Sequence, residues 1–84
     1  MDRDALRQLM QARLNARARR LGAGDVTLHD GLDLIRSGLL DSLGFVDLLA
    51  ELETAVGRQV DLERTLGHPG ATTVRGVLDL FEQA

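Results

Sequence analysis

Ser42 is the residue with the clearest chemical potential in this chain, because it stands directly after Asp41 at the start of an apolar and acidic segment. A serine hydroxyl can attack a substrate, or it can be esterified by another enzyme. A nucleophilic serine needs a base and hydrogen-bond donors for the oxyanion, and the sequence shows no such group around Ser42. The residues therefore favour an attachment point and predict a protein with no catalytic residues.

Other side chains that could do chemistry are few. His29 and His68 are the only histidines, and neither has a spacing that would pair it with Ser42 or with a second ligand, so we expect both to be loop residues in solvent. Asp25, Asp30 and Asp33 share one glycine-containing segment without the ligand spacing of a calcium loop. We expect these acids to be solvated and predict no metal site.

The start of a helix at Ser42 would suit a phosphate ester on its hydroxyl. The first helical turn has unpaired N–H groups and the positive end of the helix dipole, and both favour an anion. Asp41 could hold a metal ion or orient groups while another enzyme delivers the phosphate. A simpler interpretation, in which Ser42 only begins a helix, is equally open on these grounds.

The elements that must position Ser42 are predicted to be helices. Apolar residues recur every three or four positions between Asp4 and Leu21, and Gly22 follows as a stop signal. This stripe, which we expect to face the core, consists of Leu6, Leu9, Met10, Leu14, Ala18 and Leu21.

A second amphipathic helix is predicted over Ser42 to Val56, with Asp41 as its N-cap and Gly57 at its end. It carries two apolar stripes. The stripe expected in the core consists of Leu48, Leu49, Leu52 and Val56, and the stripe available to partners consists of Leu43, Val46 and Ala50. Phe45 is expected to reach the interior.

The remaining segments complete an all-α bundle. Residues 22–41 form a long connection with apolar anchors and an expected turn near Asp33 to Arg36. A short helical segment is predicted around Asp61 to Leu66, and Thr72 or Thr73 can cap a final helix. The final helix is predicted from the spacing of Val74, Val77, Leu78 and Phe81. One domain over residues 1–84 is expected, with three main helices and a short one that is third along the chain.

Charge and composition narrow the classes of function. The 84 residues contain no cysteine, so disulfides and thiolate metal sites are excluded. Residues 1–20 carry six Arg against two Asp, whereas residues 21–84 carry four Arg against eleven acids, which predicts an acidic working surface. Aromatic residues for base stacking are nearly absent, so nucleic-acid binding is disfavoured. The arginines expected along the solvent face of the first helix are Arg3, Arg7, Arg13, Arg17, Arg19 and Arg20.

No apolar run approaches the roughly 20 residues of a membrane span. The N-terminal residues also lack the apolar region of a secretory signal and the acid-free composition of a targeting peptide. We therefore expect a cytoplasmic protein without membrane insertion.

The motif Asp41-Ser42-Leu43, preceded by Gly38-Leu39-Leu40, resembles the phosphopantetheine attachment site of the acyl and peptidyl carrier protein family. The order of helices and the length of the connection extend this resemblance over nearly the whole chain. It implies a four-helix acyl-carrier-protein-like bundle that is not an enzyme. Its Ser42 would bear a 4′-phosphopantetheine arm taken from coenzyme A by a phosphopantetheinyl transferase, with a thioester-bound cargo on the terminal thiol.

The resemblance also implies a docking surface on the helix that begins at Ser42. The residues that would contact partners are Leu43, Val46, Asp47, Ala50, Glu51 and Glu53. Gly44-Phe45 after the Ser-Leu pair departs from fatty-acid-synthesis carriers, which typically have an acid there. The pattern is similar to discrete carriers loaded by adenylate-forming ligases, including D-alanyl and free-standing peptidyl carriers.

The sequence therefore predicts a stand-alone, monomeric carrier of an amino acid or small acyl group. Its partners would be the transferase and an adenylate-forming ligase, or else an acyltransferase or synthase. Two alternatives stay open. One is a small helical protein-interaction module without a prosthetic group, and the other is a nucleic-acid-binding domain that uses the first helix.

Overall fold

The fold is a bundle of three described helices, seen in a computed structural model that describes residues 2–61, 67 and 70–83. Helix α1 spans Arg3–Arg20, α2 spans Ser42–Val56 and α3 spans Val74–Gln83. Within these described ranges there is no strand, only an isolated antiparallel bridge between Asp33 and Thr73. The predicted all-α class is thus confirmed. The short helix predicted around residues 61–66 lies outside the described residues, apart from Asp61.

Helix α1 is bounded by local hydrogen bonds at both ends. The Asp2 carboxylate accepts a hydrogen bond from the Ala5 N–H at 2.8 Å and caps the start. At the other end the N–H of Ala23 donates to the Ala18 carbonyl at 2.8 Å, and Gly22 donates to Arg19 at 3.1 Å. This pair of bonds, with Gly22 in the left-handed region, is a Schellman motif that stops the helix.

The core lies where the apolar stripes of the three helices meet. Helix α1 buries Leu6, Met10, Leu14 and Ala18, and α2 buries Phe45, Leu48, Leu49 and Leu52. Helix α3 buries Val74, Val77, Leu78 and Phe81. Burial of these side chains supplies the main stabilising term, at about 1.5–3 kcal/mol for each large apolar side chain.

The long connection between α1 and α2 is held against α1 and against the core. The Asn15 side chain accepts a hydrogen bond from the Val26 N–H at 2.8 Å, and the Gln11 side chain donates to the Val26 carbonyl. Further along, Leu34 and Leu40 enter the core. The expected turn is present, with the Ser37 N–H donating to the Asp33 carbonyl at 3.0 Å. This connection therefore delivers the chain to the start of α2 along a fixed path.

Backbone hydrogen bonds join the same connection to the start of α3. The Leu34 N–H donates to the Thr72 carbonyl at 2.8 Å, and the Val74 N–H donates to the Leu32 carbonyl at 2.9 Å. The Thr73 hydroxyl accepts from the Gly76 N–H at 3.0 Å, so Thr73 caps α3. Of the two threonines that the sequence offered, Thr73 provides the cap.

Candidate functional site

Ser42 is the first residue of α2 and is exposed. Asp41 before it is extended, with φ −85° and ψ −178°, and its carboxylate accepts a hydrogen bond from the Gly44 N–H at 2.7 Å. The predicted N-cap is therefore confirmed. Because Asp41 occupies the Gly44 N–H, the N–H groups of Ser42 and Leu43 are the first-turn donors that remain near the Ser42 hydroxyl.

No neighbouring side chain activates Ser42 in the described part of the chain. Its hydroxyl has no hydrogen-bond partner among those residues, and Asp41 is engaged as the cap. His29 is exposed in the connection, as expected, whereas His68 lies outside the described residues. Across residues 2–61, 67 and 70–83, no three His, Asp or Glu side chains form a group that could hold a metal ion.

Gly44 lies in close packing at the start of α2. A Cβ at this position would lie 3.1 Å from the Asp41 Oδ1 and 3.4 Å from the Leu40 Cδ2. A larger residue would press on both the capping carboxylate and a core leucine. The next residue, Phe45, is 1% exposed and reaches the interior as predicted. Gly44 and Phe45 thus pack the first turn of α2 against the interior, while Ser42 stays on the surface.

An apolar stripe lies along the exposed side of α2. The side chain of Leu43 is 77% exposed and that of Val46 is 37% exposed, and Ala50 one turn further is also exposed. Asp47 lies beside them, exposed. These positions are three, four and seven residues apart, so they share one helix face. The structure therefore places Leu43, Val46, Asp47 and Ala50 together, outside the core.

Glu51 and Glu53, the other predicted partner-contacting acids, are directed to contacts within the bundle. The Glu51 carboxylate lies 3.5 Å from the Arg17 Nη2 and 3.8 Å from the Arg13 Nε. The Glu53 carboxylate accepts a hydrogen bond from the Val60 N–H at 2.9 Å. These contacts are far apart in the sequence or lie beyond the helix end, so the helical pattern of α2 gave no signal of them.

The arginines of α1, which the sequence predicts along one solvent face, also make ion pairs with other elements. Arg3 pairs with Asp79 at 2.9 Å and with Glu82 at 3.0 Å on α3, while Arg7 pairs with Asp30. Arg13 and Arg17 share Glu51, and Arg19 pairs with Asp25 at 3.1 Å. The exposure of these five side chains ranges from 21% for Arg17 to 68% for Arg19, so the ion pairs lie at the surface and do not contradict the expected solvent face. Arg20 has no ion pair among the described residues.

Asp33 and Asp30 make contacts within the fold that their spacing did not predict, whereas Asp25 is 62% exposed, as expected of a solvated acid. The Asp33 carboxylate accepts hydrogen bonds from the N–H groups of Ile35 and Arg36 and from the Thr72 hydroxyl, each at 2.9–3.0 Å. The Arg36 N–H, followed by the Thr72 hydroxyl, holds the pKa of Asp33 below its usual value. The hydrogen bond from Arg7 likewise lowers the pKa of Asp30.

Leu21 is the surface residue that the sequence pattern placed wrongly. Its spacing assigned it to the buried stripe of α1, but its side chain is 80% exposed. The helix ends at Arg20, and the backbone turns away at Gly22, so Leu21 no longer follows the helical repeat. The Gly22 stop signal was readable, but the direction of the residue just before it was not.

Comparison with protein-family models, with curated proteins and with solved structures returns no match for this chain. Over the part of the chain that the structure describes, no helix combines the length and apolar character needed to cross a bilayer.

Proposed function

We propose that the chain is a stand-alone carrier whose Ser42 hydroxyl is esterified with 4′-phosphopantetheine from coenzyme A. The observation that supports this proposal most is the exposed Ser42 at the first residue of α2, with its hydroxyl unbonded in the described region. Modification would break neither the Asp41 cap nor the burial of Phe45. The residues therefore fit a phosphate ester at this hydroxyl.

The chain contributes the acceptor oxygen and its surroundings to this transfer. Ser42 Oγ forms a bond to the phosphorus that carries pantetheine, and its proton passes to a base of the transferase. The bond from that phosphorus to the bridging oxygen breaks, and 3′-phosphoadenosine 5′-phosphate leaves with the electron pair. The unpaired first-turn N–H groups then favour the phosphodiester anion. When attached, the arm supplies a thiol that holds an acyl or aminoacyl group as a thioester.

Partner enzymes would meet the face of α2 beside Ser42. Leu43, Val46 and Ala50 provide apolar contact area, and Asp47 provides a charge that affects association rate and docking register. These enzymes are the phosphopantetheinyl transferase and then an adenylate-forming ligase, or an acyltransferase or synthase. The proposed carrier is a cytoplasmic monomer, and its cargo is an amino acid or small acyl group.

Intact-mass measurement tests the modification directly. The purified chain is incubated with coenzyme A, Mg²⁺ and a broad-specificity phosphopantetheinyl transferase. One added phosphopantetheine is expected on the unaltered chain and on Ser37→Ala, which removes another exposed hydroxyl. None is expected on Ser42→Ala. An unmodified chain, or equal modification of Ser42→Ala, overturns the proposal.

A second candidate is a helical protein-interaction module without a prosthetic group. The observation in its favour is the exposed apolar stripe of Leu43 and Val46, which would serve this role equally. Here Ser42 only begins α2, so Ser42→Ala would change stability slightly and leave partner binding intact. Nucleic-acid binding is less well supported, because most arginines of α1 are ion-paired. A duplex titration at several salt concentrations would test it.

A further inference from the structure

Large exposed apolar side chains are concentrated on two segments of the bundle. In the described part of the chain they are Leu43 and Val46 on α2 and Leu21 at the end of α1. Leu21 is the most exposed of the three, at 80%. It belongs neither to the core nor to the face of α2 that the proposed function uses.

The two segments lie toward the same end of the molecule because α1 and α2 run in opposite directions. Leu6, early in α1, lines a groove together with Val56 at the end of α2, whereas Arg17, late in α1, reaches Glu51. With a rise of about 1.5 Å per residue, Leu21 lies within roughly two helical turns of Ser42 along the bundle axis. Leu21 is thus close to the Ser42 hydroxyl in position along the bundle axis, at the end of the neighbouring helix α1.

The position of Leu21 is fixed. Its N–H donates to the carbonyls of Ala18 at 3.1 Å and Arg17 at 3.3 Å, and the Schellman bonds from Gly22 and Ala23 close the turn after it. Leu21, Arg17 and Arg20 line a shallow groove of ≈ 270 Å³. Because the backbone of Leu21 is already held, a partner that covers this residue has only the side-chain rotamers to order.

The charge around Leu21 is positive. Arg20 has no ion pair in the described ranges, and the Arg17 guanidinium shares one carboxylate, that of Glu51, with Arg13. A surface complementary to Leu21 would therefore combine an apolar pocket with at least one carboxylate. This is opposite in sign to the surface that Asp47 would select on the exposed face of α2.

We propose that Leu21, with Arg17 and Arg20, is a second docking point for the phosphopantetheinyl transferase, which contacts it through an apolar pocket flanked by acidic side chains. The inference depends on the proposed function. The transferase must bring the coenzyme A phosphorus to Ser42 Oγ itself, so its body approaches this end of the bundle most closely. Later enzymes reach the cargo through the arm, so contact with the face of α2 is sufficient for them.

Modification kinetics with the purified broad-specificity transferase, coenzyme A and Mg²⁺ test this docking point. For Leu21→Ser we expect kcat/KM to fall about tenfold, as for loss of a buried apolar anchor in an interface. Arg20→Glu should also lower kcat/KM, with a smaller loss at high salt, where charge interactions are screened. The control Gln8→Glu changes charge at an exposed position earlier in α1 and should leave the rate unchanged. Circular dichroism melts check that every variant is folded.

The outcomes separate this inference from the proposed function. If the unaltered chain is modified and folded Leu21→Ser is modified at the same rate, the docking point is wrong and the carrier function stands. If the unaltered chain is never modified, the carrier function itself fails. Sedimentation velocity tests whether Leu21 instead contacts a second copy of the chain. A dimer that Leu21→Ser dissociates, together with an unchanged modification rate, would overturn the inference.

Discussion

The Arg17 guanidinium lies 3.5 Å from the Glu51 carboxylate, Nη2 to Oε1, and joins α1 to α2. The side chain of Arg17 is only 21% exposed, whereas that of Glu51 is 40% exposed. Glu51, which the sequence predicted to contact partners, is therefore directed toward α1. On the exposed side of α2 this leaves Asp47 as the acid beside the apolar stripe.

Glu51 and Asp47 should therefore respond differently to neutralisation. We expect Glu51→Gln to lower the free energy of unfolding by about 0.5–1 kcal/mol, as for a partly exposed ion pair, and not to slow the modification of Ser42, because the Glu51 carboxylate faces Arg17. Asp47→Asn should leave stability unchanged and slow modification at low salt, because an exposed charge acts mainly on association. Urea unfolding and initial modification rates measure the two effects. The reverse assignment of effects would contradict the geometry.

Stability should fall with acid through the carboxyls of the connection. Asp33 and Asp30 have lowered pKa values in the folded chain, so the unfolded chain binds protons more readily as the pH falls. Their contribution is complete well above about pH 4, the usual range for Asp, and is lost as the pH drops through the lower folded values. Unfolding free energies at several pH values should show a shallower acid dependence for Asp33→Asn than for the unaltered chain. Parallel curves would show that Asp33 is not responsible.

Gly76 should not tolerate a methyl group. A Cβ there would lie 3.1 Å from the Ala71 Cα and would collide with the Gly70 carbonyl, both of which are backbone atoms that cannot move aside easily. We expect Gly76→Ala to destabilise the fold by about 1–3 kcal/mol, despite the better helix propensity of alanine. The matched control is Gly24→Ala, because nothing lies within 4 Å of its Cβ position. Equal midpoints of unfolding for the two variants would refute the close approach.

Phe45 and Val46 are neighbours with opposite environments, which gives a direct test of the orientation of α2. Phe45→Ala should destabilise by about 3–5 kcal/mol, since it empties a core position, and Phe45→Leu keeps the effect measurable if the first variant does not fold. Val46→Ala should lie within about 1 kcal/mol of the unaltered chain, because Val46 is already 37% exposed. Thermal or urea unfolding compares them. Similar losses at both positions would mean that α2 is rotated.

Local signals in the sequence were sufficient for α2. Its predicted bounds, Ser42 to Val56, agree with the structure because the Asp41 cap and the Gly57 stop act on the residues next to them. Its two apolar stripes were likewise separable by periodicity. The structure then showed, from the exposure of Leu43 and Val46, that their stripe lies on the surface.

Contacts between distant residues were not predictable in the same way. Arg3 and Asp79 are 76 positions apart, and no periodicity relates them. The same holds for the Arg17–Glu51 pair and for the hydrogen bond from Thr72 to Asp33. The attachment role of Ser42 itself stays a prediction, because a motif at a helix start identifies a suitable hydroxyl and a reaction with coenzyme A must show its use.

The backbone bonds of Leu34 and Val74 to partners on the opposite segment have a consequence for synthesis of the chain. They link the connection before Ser42 to residues about 40 positions later, at the start of α3. Such a closure cannot form until those residues have left the ribosome. We therefore expect the hydroxyl of Ser42 to reach its final setting only after the residues at the start of α3 have been translated, so that the proposed attachment of an arm would follow folding.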